Sequence, residues 1–133
     1  MRKKSIRATV FMLLLVSLFS ASLVSAGAAQ IGLMYTGVSS LSSSLTISSS
    51  GGATCTGKAS VRSGYTVNLT VELKRDGSTI KTWSSSGNSI VSAGGTYYVM
   101  SGHSYVVTTT AEVFDSNGNL IEHPDKDSQV TYY

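Results

Sequence analysis

Two histidines, one cysteine and seven carboxylates are the side chains with which this chain could do covalent, acid–base or metal chemistry. His103 sits in Gly102-His103-Ser104, and His123 precedes Pro124. A serine nucleophile needs a histidine within reach and a carboxylate that orients the far ring nitrogen. Serines are abundant, but there is no Gly-x-Ser-x-Gly elbow, and no aspartate lies in a motif that would orient either histidine. Both histidines read as solvent-exposed. No catalytic residue is assigned, and the chain is not expected to be an enzyme.

Asp115-Ser116-Asn117-Gly118-Asn119, with Glu122 beyond, spaces oxygen ligands like the start of a calcium loop. Its glycine is fourth rather than sixth, and Lys126 stands where a bidentate glutamate should close the loop. A hairpin turn at Asn117-Gly118 accounts for the same residues. Glu122, Asp125 and Asp127 are interrupted by His123, Pro124 and Lys126, and read as a solvated connection. No metal ligand and no cofactor-binding residue is assigned. Cys55 is single, so it is either a small buried apolar side chain or an intermolecular disulfide partner. Its position on a small-residue face with Ala53 and Ala59 favours burial.

The aromatics carry the remaining chemistry. Trp83, Tyr97, Tyr98, Tyr132 and Tyr133 offer rings that stack on sugars or anchor a protein contact. Tyr97 and Tyr98 are adjacent in an extended segment, so they face opposite sides. Tyr98, Tyr132 and Tyr133 are the candidate binding surface.

Charge then says where such a surface would work. Of ten cations in 133 residues, Arg2, Lys3, Lys4 and Arg7 fall in the first seven positions. An apolar run, Val10–Phe19, and a small-residue stretch, Ala21–Ala29, complete the layout of a secretory signal peptide. Cleavage is expected after Ala26, with Ala28 next, leaving residues 27–133 as a secreted domain with no membrane span. Without those four cations, six Lys/Arg face seven Asp/Glu, a net charge of −1. A nucleic-acid partner resting on a basic surface is disfavoured. A cationic amphipathic stretch, the usual mark of a membrane-active peptide, is missing as well.

The elements that must position these residues are strands. Tyr65, Val67, Leu69, Val71 and Leu73 alternate with polar residues at period two. Ala53–Val61 alternates with small inward side chains, and Ser104–Phe114 forms a third run. Leu45 and Ile47 mark a short edge strand, and Thr79–Trp83, Thr96–Met100 and Leu120–Glu122 are shorter runs. Asp76-Gly77 and Asn117-Gly118 supply hairpin turns, and Gly94-Gly95 precedes its strand as a turn. Seven to eight strands at this spacing, in roughly 100 residues, predict an all-β antiparallel sandwich. Tyr65, Val67, Leu69, Val71, Trp83, Val107 and Val113 are expected in or near its core.

Gly102-His103-Ser104-Tyr105-Val106-Val107 resembles the tyrosine corner of immunoglobulin-like sandwiches. The resemblance implies that Val107 and Cys55 take the two core positions that antibody domains bridge with a disulfide, and that Trp83 is the buried tryptophan. Ala53–Gly57, Leu73–Trp83, Tyr97-Tyr98-Val99 and Phe114–Asn119 are similar to a group of small exported proteins of Gram-positive bacteria that carry a domain of unknown function. That likeness implies secretion and an immunoglobulin-like fold, with no activity to transfer. A secreted, monomeric, non-catalytic module that binds an extracellular protein or glycan is the expected function. A secreted effector, such as a bacteriocin-like toxin, is the alternative.

Overall fold

The computed structural model describes residues 35–133. The expected leader, 1–26, lies outside the described residues. Among the described residues there are nine strands and no helix: β1 (Val38–Ile47), β2 (Gly52–Val61), β3 (Thr66–Arg75), β4 (Ser78–Gly87), β5 (Ile90–Tyr98), β6 (Ser104–Phe114), β7 (Leu120–Glu122), β8 (Asp125–Asp127) and β9 (Thr131–Tyr132). They build two antiparallel sheets. One has the order β1-β2-β5; the other runs β4-β3-β6-β7, with β8 and β9 also paired to β6.

Period-two patterning places the core. Val67, Leu69, Val71 and Leu73 on β3 and Tyr105, Val107, Ala111 and Val113 on β6 point inward and are fully buried. Ala53, Cys55 and Ala59 meet them from β2. Two apolar clusters result, one around Leu69 and Val113 and the other around Cys55, Leu73 and Tyr105. The sheets pack tightly at Gly57, where a Cβ would collide with Val71 and Thr109. Thr109 is a buried polar side chain, and its hydroxyl donates to Ser43 Oγ at 3.0 Å. Tyr105 caps the second cluster, its hydroxyl donating to the Met100 carbonyl.

Several expectations need correction. Gly94-Gly95 is not a turn; it lies in the middle of β5, which begins six residues before Thr96. Gly94 adopts a φ of 138°, and a Cβ there would run into the Cys55 carbonyl oxygen. Gly95 lies under the Trp83 ring, where a Cβ would be 2.9 Å from Nε1. These glycines serve close packing, not chain reversal. The edge strand β1 is ten residues long rather than short. Trp83 is half-buried on the edge strand β4, opposite the fully buried Val71, so it is not the central tryptophan. It shares an inner face with Lys81, whose Nζ sits 5.9 Å from the ring centroid. Tyr65 lies near the core as expected, half-buried against the margin of the first cluster.

The Asp76-Gly77 turn is a two-residue hairpin with positive φ at both positions, 49° and 87°. At Asn117-Gly118 only the glycine has positive φ, and the loop closes instead through Asp115 N–H to the Asn119 carbonyl at 3.0 Å.

Candidate functional site

Residues from four segments converge at one end of the sandwich. They come from the β1–β2 loop, the β3–β4 turn, the β5–β6 connection and the final strand. Antiparallel pairing of β3 with β6 sets Arg75 opposite Tyr105, which brings the Asp76 turn against Ser104. Asp76 Oδ1 accepts the Ser104 N–H at 3.0 Å, and Oδ2 lies 2.6 Å from His103 Nδ1. The Ser104 amide, and then His103, hold the Asp76 carboxyl below its ordinary range. The His103 ring meets Tyr105 edge-on, with centroids 6.3 Å apart.

Asp76 thus orients His103 from a position 27 residues earlier, which corrects the expectation of an unsupported, solvent-exposed histidine. No local motif could reveal it; only strand register does. The pair still falls short of a nucleophilic relay. The Ser104 hydroxyl donates to Asp76 Oδ1 at 3.2 Å, so it is engaged by the carboxylate rather than by the imidazole. What the arrangement does is fasten the β3–β4 turn to the β5–β6 connection.

Tyr132 and Tyr133 close the same end. Tyr133 N–H donates to the His103 carbonyl at 3.1 Å, and its own carbonyl accepts from Gly102 and His103. Its phenol reaches across to donate to the Ser49 carbonyl at 3.1 Å, over Gly51. Tyr133 is therefore a half-buried tie between the two sheets, while Tyr132 is 81% exposed. Asp76, His103, Ser104 and the two tyrosines line an open depression of about 470 Å³.

Tyr98 reaches this end through β2. It pairs with Gly52, and the next residue, Val99, donates its N–H to the Gly51 carbonyl at 2.8 Å. Its ring is 74% exposed, against 37% for Tyr97 on the opposite face, as the alternation predicts. The three tyrosines singled out in the sequence are thus gathered at one end, with Tyr98 and Tyr132 presenting free rings.

The remaining candidates are structural. Asp115 Oδ1 accepts the backbone N–H of Asn117 and of Asn119, each at 2.9 Å, and these bonds hold its carboxyl below the usual range. The carboxylate is spent on the turn, and among the described residues no cluster of three metal-ligating side chains occurs. Glu122 is not a solvated connection. Its carboxylate is half-buried and accepts the N–H groups of Thr36, Gly37 and Val38, tying the start of β1 to β7. Asp127 accepts from Thr108 Oγ1 at 2.6 Å. His123 is exposed, and Cys55 is buried without a disulfide partner among the described residues. No protein-family profile matches the chain, and no curated protein matches it.

Proposed function

We propose that the chain is an exported, non-catalytic binding module built on an immunoglobulin-like sandwich. The strand order supports that fold. The third, sixth and seventh strands share a sheet facing the first, second and fifth, while the fourth joins the third at the edge. Tyr105 stands two residues before Val107 and bonds back to Met100, in the manner of a tyrosine corner. Cys55 and Val107 occupy one core cluster, as the resemblance to antibody-type domains implies.

The observation that carries the binding reading is the exposure of Tyr98 and Tyr132 on a rigidly tied end. An exposed ring on a preorganised loop contributes contact area at little entropic cost. The partner is an extracellular protein or glycan. Binding of the purified protein to cell-wall, glycan and host-surface panels tests this reading. Tyr98→Ala or Tyr132→Ala should weaken capture roughly tenfold without changing the circular dichroism spectrum. Unchanged capture by both variants, or killing of neighbouring bacteria with no capture at all, would reject it. Export is tested separately: protein recovered from medium should begin at Gly27 or Ala29, not at Met1.

A further inference from the structure

We propose that the outer face of the three-stranded sheet is a platform for a neutral, polyhydroxylated polymer, chemically a glycan chain. This rests on the binding reading above, which it narrows to one partner class, and the two share Tyr98.

Register builds the platform. Thr46 opposes Thr54, which opposes Thr96; in the next row Ser44, Thr56 and Gly94 stand abreast. All six are exposed, and alternation sends them to the side away from the core. The hydroxyls therefore lie on a grid of roughly 4.8 Å across strands and 6.7 Å along them. These five hydroxyls stand exposed on the outer face, where each can both donate and accept.

Gly94 shapes the grid. Its φ of 138° and the Cys55 carbonyl behind it exclude any side chain. The gap becomes a shallow depression of about 370 Å³ walled by Thr54, Thr56, Ser92 and Thr96. Tyr98 follows on the same face, two residues beyond Thr96, with its ring against Gly52 and otherwise open to solvent. A depression edged by hydroxyls, with an aromatic ring beside it, matches the two surfaces of a sugar: its hydroxyl rim and its apolar C–H face.

Other partners fit less well. Lys58 is the only charged side chain pointing outward from these three strands, so a nucleic acid or acidic polymer has no cationic track to follow. Protein–protein interfaces favour aromatic, methionine and arginine anchors, and this face offers a single aromatic ring, Tyr98, with no methionine or arginine among its outward residues. A crystalline surface such as ice needs an unbroken flat grid, and here Lys58 and Tyr98 stand up from it.

Depletion of the purified protein by insoluble cellulose, chitin and β-glucan tests the platform. The Thr54→Val/Thr56→Val double variant keeps the β-branched shape while deleting the hydroxyls. It and Tyr98→Ala should each bind roughly tenfold more weakly, while Tyr98→Phe binds nearly as the native protein. Retention should be insensitive to salt, since no charge pairing is involved. If the double variant fails to fold, the single variant Thr96→Val, on the same grid opposite Thr54, decides the same question by the same loss of retention. No retention on any of these polysaccharides, equal retention by every variant, or ice-growth inhibition in its place would overturn the proposal. Retention lost in Tyr132→Ala but untouched by the threonine pair would also overturn it, by moving the ligand to the end depression, and would leave the binding reading standing.

Discussion

Cys55 and Asp76 are two titratable groups held in opposite environments, and each yields a pH-dependent test. Cys55 lies between the sheets, where burial pushes its thiol up to about 11 from 9.0. The thiolate is the nucleophile, so alkylation of the native protein near neutral pH should be slow and should accelerate on unfolding. The unfolded chain gives up this proton first. The contribution of Cys55 is therefore complete below about pH 9 and declines as pH rises toward 11. Cys55→Ala should show a smaller alkaline loss of stability in urea melts than the native protein. Asp76 is the reverse case: its folded carboxyl titrates below the ordinary value of 3.8, first because of the Ser104 amide and then because of His103. Its contribution is present above pH 3.8 and lost as pH falls through the lower folded value. Asp76→Asn tolerates the positive φ, yet it should destabilise the protein at neutral pH and converge with the native protein in acid. Parallel melting curves at both pH values would contradict the assigned role of the carboxylate.

At the scale of elements, β5 is the informative strand. A Gly-Gly pair reads as punctuation when only neighbouring residues are considered. In the fold the same pair lets β5 pass close to the β2 backbone and beneath Trp83. Gly94→Ala should cost at least 1–3 kcal/mol, on the order of the strain of a side chain in this backbone region, and more once the Cys55 carbonyl is displaced. Gly64→Ala is the control, because Gly64 has a φ of 90° but open space around it. Urea midpoints should fall further for Gly94→Ala than for Gly64→Ala. Equal shifts would mean that conformation, not contact, dominates at Gly94.

For the whole molecule, stability depends on the inner faces of β3 and β6 being buried against the β1-β2-β5 sheet. Leu69 is fully buried in the first cluster. Leu69→Ala should lose about 2–5 kcal/mol, read from chemical denaturation. A near-zero loss would show that the cluster collapses around the vacancy or that β3 presents its other face. Cys55 and Leu69 sit in different clusters, which meet at Ala93, so their effects should add in a double variant unless that shared side chain couples them.

The strands β2 and β3, which alternate without interruption, and β6, whose alternation breaks only at the buried Thr108, were legible in the sequence almost to their ends, because burial of one face imposes period two on the residues themselves. The Asp76-Gly77 hairpin was equally legible, since positive φ restricts residue choice locally. So was the opposite facing of Tyr97 and Tyr98. The edge strands β1 and β4 were longer than their patterns implied, because an edge strand is only partly covered and its composition is weakly constrained. The Asp76–His103 pair, the Glu122 clamp on the start of β1 and the role of Tyr133 as a tie all join residues 27 or more positions apart. Such contacts leave no local periodicity. Tertiary structure alone decided them, because strand register chooses which distant side chains become neighbours.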